Sequence, residues 1–161
     1  MTADPPSRRT LVYERILQEP GIHTRQLARD CGLALSTAAH HLEALRREGK
    51  IVARQDGRYR RIFPAGSDPI MMDMAAALRR RLPARVLAVI AGGDAWTRRT
   101  IAEATGISGS TLGGALTHLR RSGLLTRELR GGRFVYRASA PALIHEMLKK
   151  RAAAGSSEAE A

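Results

Sequence analysis

The stretch Leu35-Ser36-Thr37-Ala38-Ala39-His40-His41-Leu42-Glu43-Ala44-Leu45-Arg46-Arg47-Glu48-Gly49-Lys50-Ile51-Val52 decides how this chain is read. A helix turns about 100° per residue. That puts Leu35, Ala38, Leu42 and Leu45 on one face, the side expected to pack into a core. Ser36, His40, Glu43 and Arg47 take the opposite face, with Thr37 and Ala39 flanking its start. Gly49 stops the helix, and Ile51-Val52 opens a strand. The segment therefore reads as an amphipathic helix, expected over 35–48, whose outer face carries mostly short polar side chains.

The residues on either side complete a small unit. Upstream, Leu11, Val12, Ile16 and Leu17 follow Pro5-Pro6-Ser7 and share one face of a first helix, which Pro20-Gly21 ends. Thr24 is placed to cap a second helix over 25–31, with Leu27 and Ala28 inward, Cys31 in packing and Gly32 as the C-terminal cap. Ala34 gives the third helix no polar cap, so Ser36 is the alternative. Downstream, 51–54 and 59–63 form a hairpin across the turn Gln55-Asp56-Gly57.

The same plan occurs twice. At a shift of 74 positions Arg25 meets Arg99, Gly32 meets Gly106, Ser36-Thr37 meets Ser110-Thr111 and Leu42 meets Leu116. Leu45-Arg46-Arg47 meets Leu119-Arg120-Arg121, and Gly57 meets Gly131. Gly132 then reads as an inserted residue that moves the shift to 75, so that Arg58 matches Arg133 and Tyr59 matches Phe134. Between the copies a short helix is expected over 70–81, broken by Leu82-Pro83. A last helix is expected from Ala142 to about 151, followed by a disordered tail over 155–161.

Charge says what the units meet. The chain carries a net +12, and only Lys50, Lys149 and Lys150 among its 27 cations are lysines. Residues 1–67 hold 12 cations against 7 anions, and residues 83–140 hold 9 against 3, so the excess lies within both copies rather than in a tail. Arginine pairs bidentately with phosphate and with guanine edges, and a positive balance of this size suits a polyanion. Cys31 is the single cysteine; it excludes an internal disulfide and leaves a cysteine-based zinc site short of ligands. His23, His40, His41, His118 and His145 show no metal-ligand spacing. There is no phosphate-cradling glycine motif, nucleophile elbow or acid pair. No catalytic residue, metal or cofactor is expected, and no enzyme activity. With no signal peptide and no long apolar run, the chain reads as cytoplasmic, on the nucleoid, without a membrane partner.

On Leu35–Val52, and on Ser110-Thr111, Leu116, Leu119 and Gly123-Leu124-Leu125, the sequence resembles winged helix-turn-helix proteins of the ArsR and MarR type, bacterial and archaeal transcriptional regulators. The resemblance covers residues 8–64 and 84–138. It implies a mainly α fold with small β-hairpins (α+β), as two tandem winged helix-turn-helix domains joined by a short helix. Their bounds are 1–67 and 83–139, with a linker helix over 68–82, a C-terminal helix over 140–154 and the tail. Metal sensing of the ArsR kind needs Cys/His clusters that this sequence lacks.

In that family the start of the third helix reaches base edges while neighbouring groups hold phosphates. Carried over, the DNA-contacting residues are Ser36, Thr37, Ala39, His40 and Arg47 in the first copy. In the second they are Ser110, Thr111, Gly114, Thr117 and Arg121. The hairpins add Arg54, Arg58, Arg60 and Arg61, then Arg127, Arg130 and Arg133, suited to phosphates or a minor groove. Alternation along a strand points Arg58 and Arg60 one way, Tyr59 and Arg61 the other. Gly113-Gly114 inside a helix costs about 1 kcal/mol per glycine relative to alanine, and close helix packing is the alternative account of the pair. The expected function is sequence-specific binding of double-stranded DNA by a homodimeric regulator, its effector open. A nucleoid protein coating DNA with low specificity and a protein-interaction scaffold are the competing readings.

Overall fold

The computed structural model describes residues 5–153, so the tail expected over 155–161 lies outside the described residues. The chain divides between Met72 and Asp73 into two units. The first holds α1 (Arg8–Gln18), β1 (Ile22–His23), α2 (Thr24–Asp30), α3 (Leu35–Arg47), β2 (Ile51–Asp56) and β3 (Tyr59–Pro64). Ser7 starts α1, its Oγ accepting from the Thr10 amide at 3.1 Å. His23, not Thr24, caps α2: its Nδ1 accepts from the Gln26 amide at 3.3 Å, and Thr24 is already helical. Helix α3 begins at Leu35 behind Ala34 with no side-chain cap, so Ser36 lies inside the first turn.

Val12, Ile16, Ile22, Leu27, Leu42, Leu45, Ile51 and Ile62 make the core of this unit. Leu11, Leu17 and Leu35, expected inside, are exposed. The apolar stripes of the helices are wider than the contact so small a unit offers. The sheet runs β1-β3-β2, antiparallel throughout. Asp56 pairs with Tyr59, so the turn is the two residues Gly57-Arg58, with φ at +60° on Gly57, rather than Gln55-Asp56-Gly57.

Helix α4 (Pro69–Arg79) leads into the second unit, followed by α5 (Arg81–Ala91), β4 (Trp96–Thr97), α6 (Arg98–Thr105), α7 (Gly109–Arg121), β5 (Leu125–Arg130), β6 (Arg133–Ala138) and α8 (Pro141–Ala153). The break after α4 falls at Arg80 rather than at Leu82-Pro83. Pro83 is the third residue of α5, where an N–H would have no acceptor within the helix, so the ring is tolerated. Met74, Ala77 and Leu78 pack with Val86, Leu87, Ile90, Ile101, Leu112, Leu116, Leu119 and Ile144 in one core. Helix α8 lies against α5.

The second sheet, β4-β6-β5, repeats the order of the first. Strand by strand the shift stays at 74: β2 and β3 begin at 51 and 59, β5 and β6 at 125 and 133. The expected change to 75 is therefore wrong. Gly131 and Gly132 fill the two turn positions at φ +54° and +77°. A two-residue turn with positive φ at both places favours glycine. Gly132 thus replaces Arg58 and inserts nothing. Arg133 stands where the first unit has Tyr59, Phe134 where it has Arg60, and Val135 where it has Arg61.

Candidate nucleic-acid interface

In the first unit three elements converge on one shallow concavity. Thr24 from the start of α2, Ala39, Leu42, Glu43 and Arg46 from α3, and Ile51, Ala53, Arg60 and Ile62 from the hairpin line it. Ser36, Ala39, His40 and Arg47 are exposed on α3 and Thr37 is half-buried. Glu43 lies in the middle of this face. Arg46 donates to both its carboxylate oxygens, at 2.7 and 3.1 Å, and the Arg47 Nε is 3.9 Å away. The Arg46 hydrogen bonds foremost, with the charges of Arg46, Arg47 and Arg60, hold the Glu43 carboxyl below its ordinary range. On the hairpin Arg54, Arg58 and Arg60 are exposed. The Gln55 Nε2 donates to the Gly57 carbonyl at 2.7 Å and braces the turn.

Arg61 departs from the expected set. It is buried, ion-paired to Asp56, and donates from Nη1 to the Gly21 carbonyl at 3.2 Å. Its guanidinium lies 5.5 Å from the centre of the Tyr59 ring, which stacks on His23 at 5.0 Å. Alternation along β3 separated Arg61 from Arg60 correctly. It did not reveal that β1 pairs along this stretch of β3 and helps to enclose the Arg61 side.

In the second unit Ser110, Thr111, Gly114, Thr117 and Arg121 are exposed on α7. Thr117, Arg120, Arg121, Leu125, Thr126 and Arg127 line an open concavity between α7 and β5. Its lining holds three arginines and no carboxylate, because Thr117 stands where the first unit has Glu43. Arg98 reaches over α7 and donates to the Gly109 carbonyl. A Cβ on Gly113 would lie 2.8 Å from the Arg98 Nη2, so this glycine makes room for a side chain rather than for a helix. At the hairpin, Arg130 pairs with Glu128 at 3.0 Å, Arg133 is exposed, and Arg127 stacks on Phe134 at 4.1 Å. Sequence reasoning passed over Thr24, Arg46, Arg98 and Arg120. The Glu43/Arg46 spacing was a readable signal for one of them; Arg98 acts across 11 residues and left none.

His41 is half-buried beside α1. Burial first, then the charges of His40, Arg9 and Arg8, lowers its pKa. Burial and the neighbouring Asp30 push the Cys31 thiol up. Among the described residues no group of three His, Cys, Asp or Glu side chains could hold a metal, and no helix is long and apolar enough to cross a membrane.

Residues 6–72 match the family model HTH_HVO_0163_N, an N-terminal HTH domain. A search of curated proteins gave no match. Among solved structures, NolR from Sinorhizobium fredii is 17% identical over 55% of this chain and 87% of its own, with a TM-score of 0.47. The homodimeric winged helix-turn-helix DNA-binding domain of Mb0332 from Mycobacterium bovis is 21% identical over 58% and 98%, at 0.44. ScpB from Mycobacterium tuberculosis is 17% identical over 90% and 98%, at 0.34. Likenesses this distant carry no conclusion about function.

Proposed function

We propose that the chain binds double-stranded DNA sequence-specifically and regulates transcription, its N-terminal HTH domain and its second unit acting as two winged helix-turn-helix domains in tandem. The observation that carries this reading is the convergence of Thr24 at the α2 start, Ala39, Glu43 and Arg46 of α3, and Arg60 on one surface of the first unit. A recognition helix with short side chains lets its backbone sit deep in a major groove, and arginines on the adjoining hairpin hold the phosphates. Ser36, Thr37, Ala39, His40 and Arg47 face the bases; Arg58 and Arg60 face the backbone, and Arg54, the cross-strand partner of Arg61, reaches it from the other face of the hairpin. Arg61 leaves the set because it is buried. In the second unit Ser110, Thr111, Gly114 and Thr117 occupy the matching face, with Arg121, Arg127, Arg130 and Arg133 beside it.

The protein acts in the cytoplasm as a homodimer, the arrangement that reads two half-sites related by symmetry. Selection from a random duplex library at two salt concentrations tests this reading. A discrete, symmetric operator is expected, with affinity falling steeply as salt rises. Arg58→Glu with Arg60→Glu should weaken binding sharply. Uniform protection of any duplex would replace the regulator with a DNA-coating protein, and a folded protein that ignored duplex DNA at low ionic strength would refute DNA binding altogether.

A further inference from the structure

The two hairpins have the same shape and different chemistry at their tips. Leu129 and Phe134 are cross-strand partners, one residue in from the Gly131-Gly132 turn. Strand alternation puts both on the face that also carries Leu125 and Tyr136. Those two are buried in the core, whereas Leu129 and Phe134 project beyond it, 65% and 49% exposed. The first unit has Gln55 and Arg60 at these positions. The first unit's hairpin therefore folds without apolar side chains there, so this fold does not require the pair.

We propose that this tip is an apolar wedge for the minor groove of duplex DNA, where Phe134 and Leu129 enter a base step and kink the helix. The proposal rests on the DNA-binding reading above and adds to it a division of labour between the hairpins. Minor-groove proteins that bend DNA use a wedge of this kind, apolar side chains inserted between base pairs with cations on the flanking phosphates. Arg127 and Arg133 are the cations here, and the Arg127 guanidinium against the Phe134 ring fixes the ring's attitude. Charge selects the occupant. With Arg127 on the face of the two apolar side chains, Arg130 and Arg133 on the other face of the same tip, and one carboxylate, Glu128, already paired to Arg130, a second copy of this +12 chain is repelled and a polyanion is attracted. Two side chains are also too little apolar surface for a stable protein interface.

The test uses the full chain and an A·T-rich duplex of about 30 bp carrying a central TpA step, a flexible step that kinks readily, with a donor and an acceptor dye at its ends. The wild-type protein should bind and raise energy transfer between the ends. Leu129→Gln with Phe134→Arg restores the first unit's residues. It should bind at low salt with a steeper salt dependence, and the rise in energy transfer should be lost. Phe134→Leu should keep much of it. Equal melting temperatures show that the variants are folded. Binding without bending by the wild type, or unchanged bending by the double variant, overturns the wedge and leaves DNA binding standing. A double variant altered only in sedimentation would assign the tip to a second copy, and capture of anionic vesicles without bending to a lipid surface; either overturns the proposal. No binding by the wild type overturns both readings.

Discussion

The Arg61 Nε lies 2.7 Å from the Asp56 Oδ2, and the two side chains are only 5% and 14% exposed. A buried pair is marginal in net worth, but removing one partner strands the other charge. Arg61→Ala should therefore destabilise the first unit by about 3 kcal/mol, read by urea denaturation. Arg60→Ala, one residue away and exposed, should leave stability within about 0.5 kcal/mol and weaken DNA binding. Equal stability losses would show that the two arginines are not divided between packing and contact.

Glu43 is the acid on the proposed reading face, and its hydrogen bonds to Arg46 are its main restraint. Glu43→Gln should tighten binding to duplexes of every sequence and steepen the salt dependence by about one ion released. Its carboxyl is held below the ordinary range, so it is ionised throughout pH 5 to 7 or so. The effect of the substitution should accordingly not change across that window. A variant that loses affinity for one operator alone would make Glu43 a base-reading residue.

His41 should make the first unit acid-sensitive. Burial and the nearby cations lower its pKa from the ordinary 6.5. The unfolded chain then takes up a proton at a pH where the folded chain resists it. Stability is unaffected well above the unfolded pKa and declines as pH falls through it, with the full loss reached below the folded pKa. Urea resistance should drop between about pH 7 and pH 5, and His41→Gln should reduce that slope. A proton NMR titration of the His41 ring with a midpoint at or above 6.5 would contradict this.

Much of this was legible in the residues. The 3.6 period of Ala38, Leu42 and Leu45 located α3, and the repeated Ser-Thr, Leu and Gly positions located α7. What the sequence concealed depended on contacts between elements. Gly131-Gly132 looked like an insertion because counting glycines does not count turn positions; the pairing of Arg130 with Arg133 does. Arg61 looked like its neighbours because its burial comes from contacts remote in sequence, with β1 and the Gly21 carbonyl. Leu35 met the period of its helix but sits at its first residue and stays 48% exposed. The outer face of α3 was legible because it is local; the concavity it forms with Thr24 and Arg60 was not.

The Cys31 thiol is half-buried against the first core, and burial with Asp30 raises its pKa. The thiolate is the reactive form, so native protein at neutral pH should react with a disulfide reagent far more slowly than the same protein in urea. A rapid native reaction would show that the thiol is accessible and ionised in the folded protein.

Gly113 and Gly114 are adjacent in α7 and should respond differently to a methyl group. A Cβ on Gly114 meets nothing within 4 Å, whereas one on Gly113 meets the Arg98 guanidinium at 2.8 Å. Gly114→Ala should gain the helix-propensity difference of about 1 kcal/mol, raising the transition seen by Trp96 fluorescence by roughly 4–8 °C. Gly113→Ala gains the same propensity but displaces Arg98 from the Gly109 carbonyl, a hydrogen bond worth about 1 kcal/mol, so its transition should scarcely move. Trp96 is the chain's single tryptophan and lies in the second unit, so the signal reports the right one. If α7 approaches DNA closely at Gly114, the more stable Gly114→Ala protein should also bind less tightly. A gain in stability with unchanged affinity would remove Gly114 from the contact surface and leave the glycine without a role at the DNA.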